Sequence, residues 1–163
     1  MNSKLDTRQR RFIEEFGNLY AAYGLKRMSG LVIGLLLSSE GPLSLDDIAR
    51  HLRRSKGLIS ETTRRLNTLG YIKKTEGPES RKDYYVADSD IFINVFHFNM
   101  ATVRKNLAIA DEFLHLIDGP GTKALARWKE NLHVMMGFYQ QMNEFYEGFD
   151  ARWTERKKTL TNI

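Results

Sequence analysis

The chain has 163 residues, a net charge of +5 and no cysteine. A chain of this length can bury a core of its own, and the lack of cysteine excludes disulfides and thiolate metal sites. No apolar run is long enough to cross a membrane, and no apolar stretch follows the charged N-terminus as a secretory signal would require. We therefore expect a soluble cytoplasmic protein that needs no cofactor, no metal and no membrane.

Helical periodicity dominates the first forty residues. Between residues 12 and 23 apolar and aromatic side chains recur every three or four positions, and Gly24 follows where a helix typically ends. We assign residues 1–24 to an N-terminal dimerisation helix. The next helix, over about residues 26–39, is apolar on most sides and therefore belongs to the core.

Two shorter helices follow, with a tight turn between them. Ser44 and Asp47 have the spacing of an N-cap and its capping-box acid, so a helix is predicted from there to about Leu52. Ser55 can cap the next helix, which ends where Gly70 supplies a left-handed residue.

The period then changes to that of strands. Residues 71–75 and 83–87 are rich in β-forming side chains, and the polar segment between them contains Gly77 and Pro78, which predicts a β-hairpin with a long exposed tip. Helix, helix, turn, helix and hairpin is the order of a winged helix-turn-helix, which we place at residues 25–89. The fold class is therefore mainly α, with a small β-hairpin wing.

The last third of the chain, residues 90–163, predicts two long helices. Apolar residues alternate at spacings of four and three over residues 96–117 and again over residues 125–153, with a break at residues 118–121. Each pattern is typical of a seam for a partner helix, and further aromatic residues lie off both seams. We therefore predict a C-terminal helical hairpin that dimerises with a second copy of the chain and can also contribute to an effector site.

Positive charge is concentrated in one part of the sequence. Residues 50–74 contain one acidic residue, Glu61, against the basic residues Arg50, Arg53, Arg54, Lys56, Arg64, Arg65, Lys73 and Lys74. Such an excess repels itself, and an anionic partner such as the DNA backbone would account for it. The alternative is a basic face that only keeps the protein soluble.

Several short motifs occur in order between residues 23 and 85. They are Tyr23-Gly24-Leu25, Arg27-Met28-Ser29-Gly30, Ser44-Leu45-Asp46-Asp47-Ile48-Ala49, Ser55-Lys56-Gly57 and Arg81-Lys82-Asp83-Tyr84-Tyr85. Together they resemble the MarR superfamily of winged-helix transcriptional regulators, most closely its GbsR-like branch, although Lys26 stands where that branch often has Pro. The resemblance implies a homodimeric repressor that binds a pseudo-palindromic operator in double-stranded DNA and is released by a small-molecule effector, such as a choline-like osmoprotectant precursor.

The helix after Ser55 is the expected recognition helix. Ile59, Thr63 and Leu66 share the side that faces the core, so the opposite side is free to enter the major groove. A helix in the groove reads bases with its N-terminal residues, which makes Ser60 and Arg64 candidates for base contacts. The free N–H groups of the helix start favour a phosphate.

The remaining candidates lie in the turn before this helix, where they are expected to contact the DNA phosphate backbone, and in the wing, where they are expected to contact a DNA groove. In related regulators an Arg in the wing enters the minor groove, a role that the resemblance assigns to Arg81. The full set of predicted DNA contacts is Arg53, Arg54, Ser55, Lys56, Gly57, Ser60, Arg64, Arg65, Arg81 and Lys82.

The resemblance also implies an effector site between the winged domain and the dimerisation helices. Aromatic cages bind quaternary ammonium cations, and Tyr20, Trp128 and Tyr139 are the candidates for such a cage. Aromatic residues at helical spacing more often form a packed core, so that interpretation stays open.

The sequence does not indicate an enzyme or a metal protein. It lacks a nucleophile-elbow serine, a phosphate-binding glycine loop and a paired-carboxylate motif. No two histidines lie three or four residues apart, and the acidic residues near them, such as Glu112 before His115 and Glu130 before His133, are more typical of helix-surface pairs than of a metal site. The main alternative to a DNA-binding regulator is a winged-helix interaction dimer that has no effector or has lost its DNA specificity, and the basic excess of residues 50–74 argues against it.

Overall fold

The structure, a computed structural model, describes residues 5–119, 121 and 123–160. It divides into two compact units, the first ending at Asn94 and the second beginning at Val95. The elements in chain order are α1 (Thr7–Ala22), α2 (Arg27–Leu37), β1 (Leu43–Ser44), α3 (Leu45–Leu52), α4 (Lys56–Thr68), β2 (Ile72–Thr75), β3 (Tyr84–Ala87), α5 (Ile91–Leu116), α6 (Lys123–Tyr146) and α7 (Phe149–Leu160). The predicted limits at residues 1 and 163, and Pro120 of the predicted break, lie outside the described residues.

The core of the first unit forms around α2. Residues 29–36 of this helix are buried, as its apolar sequence predicts. Glycines let α1 approach very closely, because a Cβ on Gly30 would lie 2.3 Å from the carbonyl oxygen of Phe16. At one end of this contact Gln9 Nε2 donates to the Ser38 carbonyl oxygen over 2.8 Å, and at the other Arg27 forms an ion pair with Glu14.

The predicted winged helix-turn-helix is confirmed. Ser44 and Asp47 form the expected capping box at the start of α3. Gly70 adopts a φ of 69° after α4, and its carbonyl oxygen accepts a hydrogen bond from Asn94 Nδ2 at 2.7 Å. The wing strands β2 and β3 pair antiparallel, with Ile72 opposite Ala87.

The sheet contains one strand that the sequence analysis did not predict. The two-residue strand β1 pairs antiparallel with β3, placing Leu43 opposite Tyr85, so the sheet order is β1-β3-β2. Two residues are too few to show strand periodicity, and the same segment carries the cap of α3.

The second unit contains the predicted pair of long helices. Phe113 and Trp128 meet near one end, with ring centroids 6.1 Å apart, and Phe96 and Tyr146 meet near the other at 5.4 Å, so α5 and α6 are antiparallel. The seam residues Met100, Val103, Ala110 and Leu114 of α5 and Leu132 of α6 are buried.

The second seam does not continue as one helix to residue 153, as the sequence analysis predicted. Gly148 adopts a φ of 72°, α6 ends at Tyr146 and a separate helix, α7, begins at Phe149. A left-handed glycine commonly ends a helix, but the 3/4 spacing of apolar residues runs through this one without interruption. The periodicity therefore gave the correct faces and the wrong helix end.

No helix among the described residues is long and apolar enough to span a membrane.

Replacing Gly30 by Ala should lower the free energy of unfolding by about 1–3 kcal/mol, because the added Cβ would clash with the backbone of α1. Gly137→Ala is the matched control: a Cβ on Gly137 of α6 meets nothing within 4 Å, so this variant should be neutral or more stable. Chemical denaturation of both variants measures the difference, and equal stabilities would contradict the close approach of α1 to α2.

Candidate nucleic-acid interface

The turn between α3 and α4 is built from a left-handed residue and a cap. Arg53 has φ 52° and ψ 52°, and among the described residues it is the one non-glycine residue with positive φ. The Arg54 N–H donates to the Ala49 carbonyl oxygen at 3.0 Å, which closes the end of α3. Ser55 Oγ then accepts from the Leu58 N–H, and α4 begins at Lys56. The two cationic residues before α4 are therefore held in a defined turn.

The two sides of α4 differ as the sequence predicts. Ile59, Thr63 and Leu66 are almost completely buried. Thr62, which the sequence analysis did not assign to the core, is also buried, and its hydroxyl donates to the Leu58 carbonyl oxygen at 2.8 Å. Ser60 and Arg64 lie on the exposed side, so their side chains are accessible to a partner.

All ten predicted DNA contacts are exposed. Lys56 forms an ion pair with Asp46 of α3 at 2.9 Å, and the Arg54 guanidinium donates to the Arg53 carbonyl oxygen at 3.2 Å. Four arginines among the ten have side chains without a hydrogen bond or ion pair to any other described residue: Arg53, Arg64, Arg65 and Arg81. These four are free to contact an anion without first breaking an internal bond.

The wing presents its charges near the hairpin tip. Lys74 of β2 pairs with Asp83 at 2.6 Å, and Lys82 pairs with Glu79 at 2.8 Å. The hydrogen bond that the Lys82 ammonium donates to Glu79 raises the pKa of Lys82, so this side chain stays charged. Glu79 lies two residues before Arg81 but pairs with Lys82, and Arg81 is exposed.

The structure adds one contact that the sequence analysis did not predict, an ion pair between two residues outside the set of predicted DNA contacts. Glu61, on the exposed side of α4, pairs with Lys26 at 3.2 Å. Lys26 is the residue before α2, thirty-five positions from Glu61, so no local spacing could reveal the pair. The sequence drew attention to residue 26 in one way only, because Lys26 stands where the GbsR-like branch often has Pro.

Two of the three predicted effector residues lie on α6, and the third lies on α1. Trp128 and Tyr139 lie eleven residues apart on α6, about 16 Å along its axis, so one small cation cannot touch both rings. Trp128 packs against Phe113, and Tyr139 is half-buried. Tyr20 belongs to the first unit, where it lies near Tyr71. The aromatic cage stays a prediction. The contact between the rings of Trp128 and Phe113 is explained by packing of α6 against α5.

The second unit contains a cavity that involves none of these three residues. It has a volume of about 310 Å³ and lies between α5 and the junction of α6 with α7. His97 Nε2 and Asp150 Oδ1 are 2.8 Å apart at its wall, and the rings of Phe96 and Tyr146 line it. Within residues 5–119, 121 and 123–160, no group of three His, Asp or Glu side chains could hold a metal ion.

Comparison with known proteins gave one family and a set of similar structures. Residues 23–83, which run from the end of α1 to the start of β3, match the sequence model of the MarR family. No curated protein sequence matches the chain. A solved structure described as a transcriptional regulator aligns with a TM-score of 0.74 at 21% identity, over 91% of this chain and 99% of that one. That likeness shows a shared fold over nearly the full length of both chains.

Two further solved structures are less similar. The DNA complex of MepR from S. aureus aligns with a TM-score of 0.41 at 16% identity, over 80% of this chain and 91% of that one. AbsC from Streptomyces coelicolor, described as a MarR family transcriptional regulator, aligns with a TM-score of 0.42 at 17% identity, over 82% and 88%. At these scores neither bears on how this chain works. The likeness to the GbsR-like branch stays a prediction.

Tyr20 makes the folded state sensitive to high pH. Burial, together with the nearby Tyr71, raises the pKa of the Tyr20 phenol from 10.0 to about 12. Because the folded pKa is higher than the unfolded one, the folded state disfavours the phenolate. The stability that this phenol contributes is complete below pH 10 and is lost as the pH rises from 10 towards 12.

Between pH 8 and pH 11 the free energy of unfolding should decrease less for Tyr20→Phe than for the wild type. The two decreases should differ by on the order of 1 kcal/mol, a value that allows for the partial exposure of the ring. Urea unfolding at the two pH values measures this. Tyr23→Phe is the control, since Tyr23 is highly exposed and should follow the wild type. Parallel losses in all three proteins would refute the assignment.

Proposed function

We propose that this chain is a member of the MarR family, whose sequence model matches residues 23–83, and that it regulates transcription by binding double-stranded DNA as a homodimer. One observation carries the proposal: the exposed side of α4 and the wing tip offer arginine side chains that make no bond with other described residues. Free guanidinium groups on a recognition helix are suited to both phosphates and guanine bases.

The proposal assigns different roles to different parts of the interface. Ser60 and Arg64, on the exposed side of α4, would contact base edges. Arg53, Arg54 and Arg65, together with Ser55, Lys56 and Gly57 at the start of α4, would contact the phosphate backbone. Arg81 and Lys82 of the wing would contact the adjacent minor groove, where negative potential is concentrated.

Paired lysines in this interface do not argue against DNA binding. The Lys56–Asp46 and Lys82–Glu79 pairs are solvent-exposed, and exposed ion pairs add little to stability because water screens them. Several closely spaced phosphates can replace a single carboxylate at such a lysine without a large energetic penalty.

Homodimerisation through residues 1–24 and 90–163 is part of the proposal. Val134, Phe138 and Phe145 share one exposed stripe of α6, while Leu132 on the same helix is buried. Phe138 and Phe145 have 60% and 74% of their surfaces exposed in the single chain. An exposed aromatic stripe of this kind marks an interaction surface, and a second copy of the same hairpin would cover it in a two-fold dimer.

The proposal also includes effector control. The protein would act as a repressor that leaves its DNA site when it binds a choline-like molecule. The support for this part is the resemblance to the GbsR-like branch and the half-exposed ring of Trp128. The distance along α6 requires Trp128 and Tyr139 to act in separate contacts within one chain. A thermal-shift panel of choline-like and phenolic compounds tests this part, because a ligand of the folded state raises Tm and an unchanged Tm at millimolar ligand would refute it.

Selection of bound duplexes from a random library should return a pseudo-palindrome with half-site centres about 34 Å apart. On that operator Arg64→Ala should cost about 1–3 kcal/mol and relax the preference at one base position, with a smaller loss on a scrambled duplex. Arg54→Ala should weaken binding to both duplexes equally and lower the salt slope by about one unit. Titrations of each variant on both duplexes, at several salt concentrations, measure these effects.

Two results would contradict the roles given to these arginines. An equal loss on both duplexes for Arg64→Ala, with a shallower salt slope, would make Arg64 a phosphate contact. Equal binding of the wild type to every duplex would instead support the alternative, a winged-helix dimer without DNA specificity.

Phe138→Asp should raise the dimer dissociation constant by about 100-fold, because the dimer would have to bury an unpaired carboxylate at the exposed stripe. Gln140→Asp adds the same charge to another side of α6 and should leave the dimer intact. Sedimentation velocity at micromolar concentration distinguishes the two variants. A wild-type chain that sediments as a folded monomer would exclude the dimer.

A further inference from the structure

Glu61 is the single acidic residue of α4, and it lies on the side of the helix that is exposed together with Arg64. The two residues are three positions apart, and residues at this spacing on a helix are neighbours whose opposite charges attract. In the structure Glu61 does not pair with Arg64. Its Oε1 atom lies 3.2 Å from Nζ of Lys26, at the start of α2.

The consequence concerns the guanidinium of Arg64. With Glu61 engaged by Lys26, the Arg64 side chain has no hydrogen bond or ion pair to another described residue and remains available to a ligand. A carboxylate that paired with Arg64 would occupy the N–H groups with which an arginine contacts guanine. It would also bring an uncompensated negative charge towards the phosphates.

We propose that Lys26 is a positioning residue for DNA recognition, which it serves by holding the Glu61 carboxylate away from Arg64. This inference rests on the proposed function, because it requires α4 to bind DNA. Lys26 acts through Glu61, and Arg64 is the residue that contacts the base. Both partners of the pair are well exposed, with 60% and 59% of their side chains accessible. Because exposed pairs add little to stability, the role of Lys26 here is to orient the Glu61 carboxylate.

Removal of the Lys26 charge should have two additive effects on operator binding. Glu61 returns to Arg64 in part of the molecules, which costs about twofold in affinity at the strength of a helical ion pair. The carboxylate also faces the DNA without a counter-charge, which costs a further few-fold at an exposed site. The two together predict a loss of about fivefold.

The experiment is a set of operator and scrambled-duplex titrations with the full-length variants Lys26→Met, Lys26→Arg, Glu61→Gln and Lys26→Met/Glu61→Gln. We expect Lys26→Met to lose about fivefold on the operator, and less on the scrambled duplex. Lys26→Arg keeps the cation and should bind like the wild type. The double variant should bind within about twofold of Glu61→Gln, because without the carboxylate nothing remains to be held away.

Two further variants make the result specific. In an Arg64→Ala background, Lys26→Met should no longer change the ratio of operator to scrambled affinity. Lys105→Met, on the exposed surface of α5, removes the same charge outside the winged helix-turn-helix and should bind like the wild type. Unfolding curves confirm that each variant is folded.

Four outcomes would overturn the inference. If Lys26→Met loses the same factor in the wild-type and the Glu61→Gln backgrounds, and equally on both duplexes, Lys26 is itself a phosphate contact. If Glu61→Gln alone removes the preference at one base position, Glu61 reads that base directly. If the wild type binds neither duplex, the proposed function fails and this inference fails with it. If the wild type binds the operator but the double variant binds it much more weakly than Glu61→Gln does, only the inference is refuted.

Discussion

The burial of Ile59, Thr63 and Leu66 fixes the rotation of α4 about its axis. A helix that buries one side against α2 and α3 must present the opposite side to solvent, and on α4 that side contains Ser60, Glu61 and Arg64. The core of α2 provides the other half of the constraint, since its buried apolar residues give α4 a rigid surface to pack on. The chemistry of the interface thus depends on how the apolar side chains behind it pack.

The acidic residues around this interface determine which cations remain available. Asp46 engages Lys56, Glu79 engages Lys82 and Glu61 engages Lys26, so each of these carboxylates is paired with a lysine. The arginines of α4 and the wing tip are left unpaired among the described residues. Since a guanidinium makes bidentate contacts that an ammonium cannot, this division leaves the more selective donors free for the partner.

Local rules in the sequence were enough to predict most of the winged domain. The caps at Ser44 and Ser55 and the left-handed Gly70 act within one turn of chain, so their spacing is visible in the sequence. The strand β1 was missed because its pairing with β3 is made across forty residues and its two positions have no periodicity. The Lys26–Glu61 pair was missed for the same reason: it depends on how α2 and α4 pack.

The C-terminal helices show a different limit of sequence reasoning. Burial of Met100, Val103 and Leu132 follows the predicted seams, yet the seam pattern continues across Gly148, where the helix ends. Apolar spacing records which side of a segment is covered, and it does not record whether the backbone stays helical between two covered residues.

Arg53 shows how stability and binding are balanced in the turn before α4. A left-handed conformation costs a residue with a Cβ roughly 1–2 kcal/mol, and glycine would adopt the same φ of 52° without that cost. An arginine at this position therefore lowers the stability of the turn and contributes nothing to the core, because its side chain is exposed and makes no bond with other described residues. Under the proposed function, a phosphate contact from this guanidinium would offset that loss in the complex with DNA.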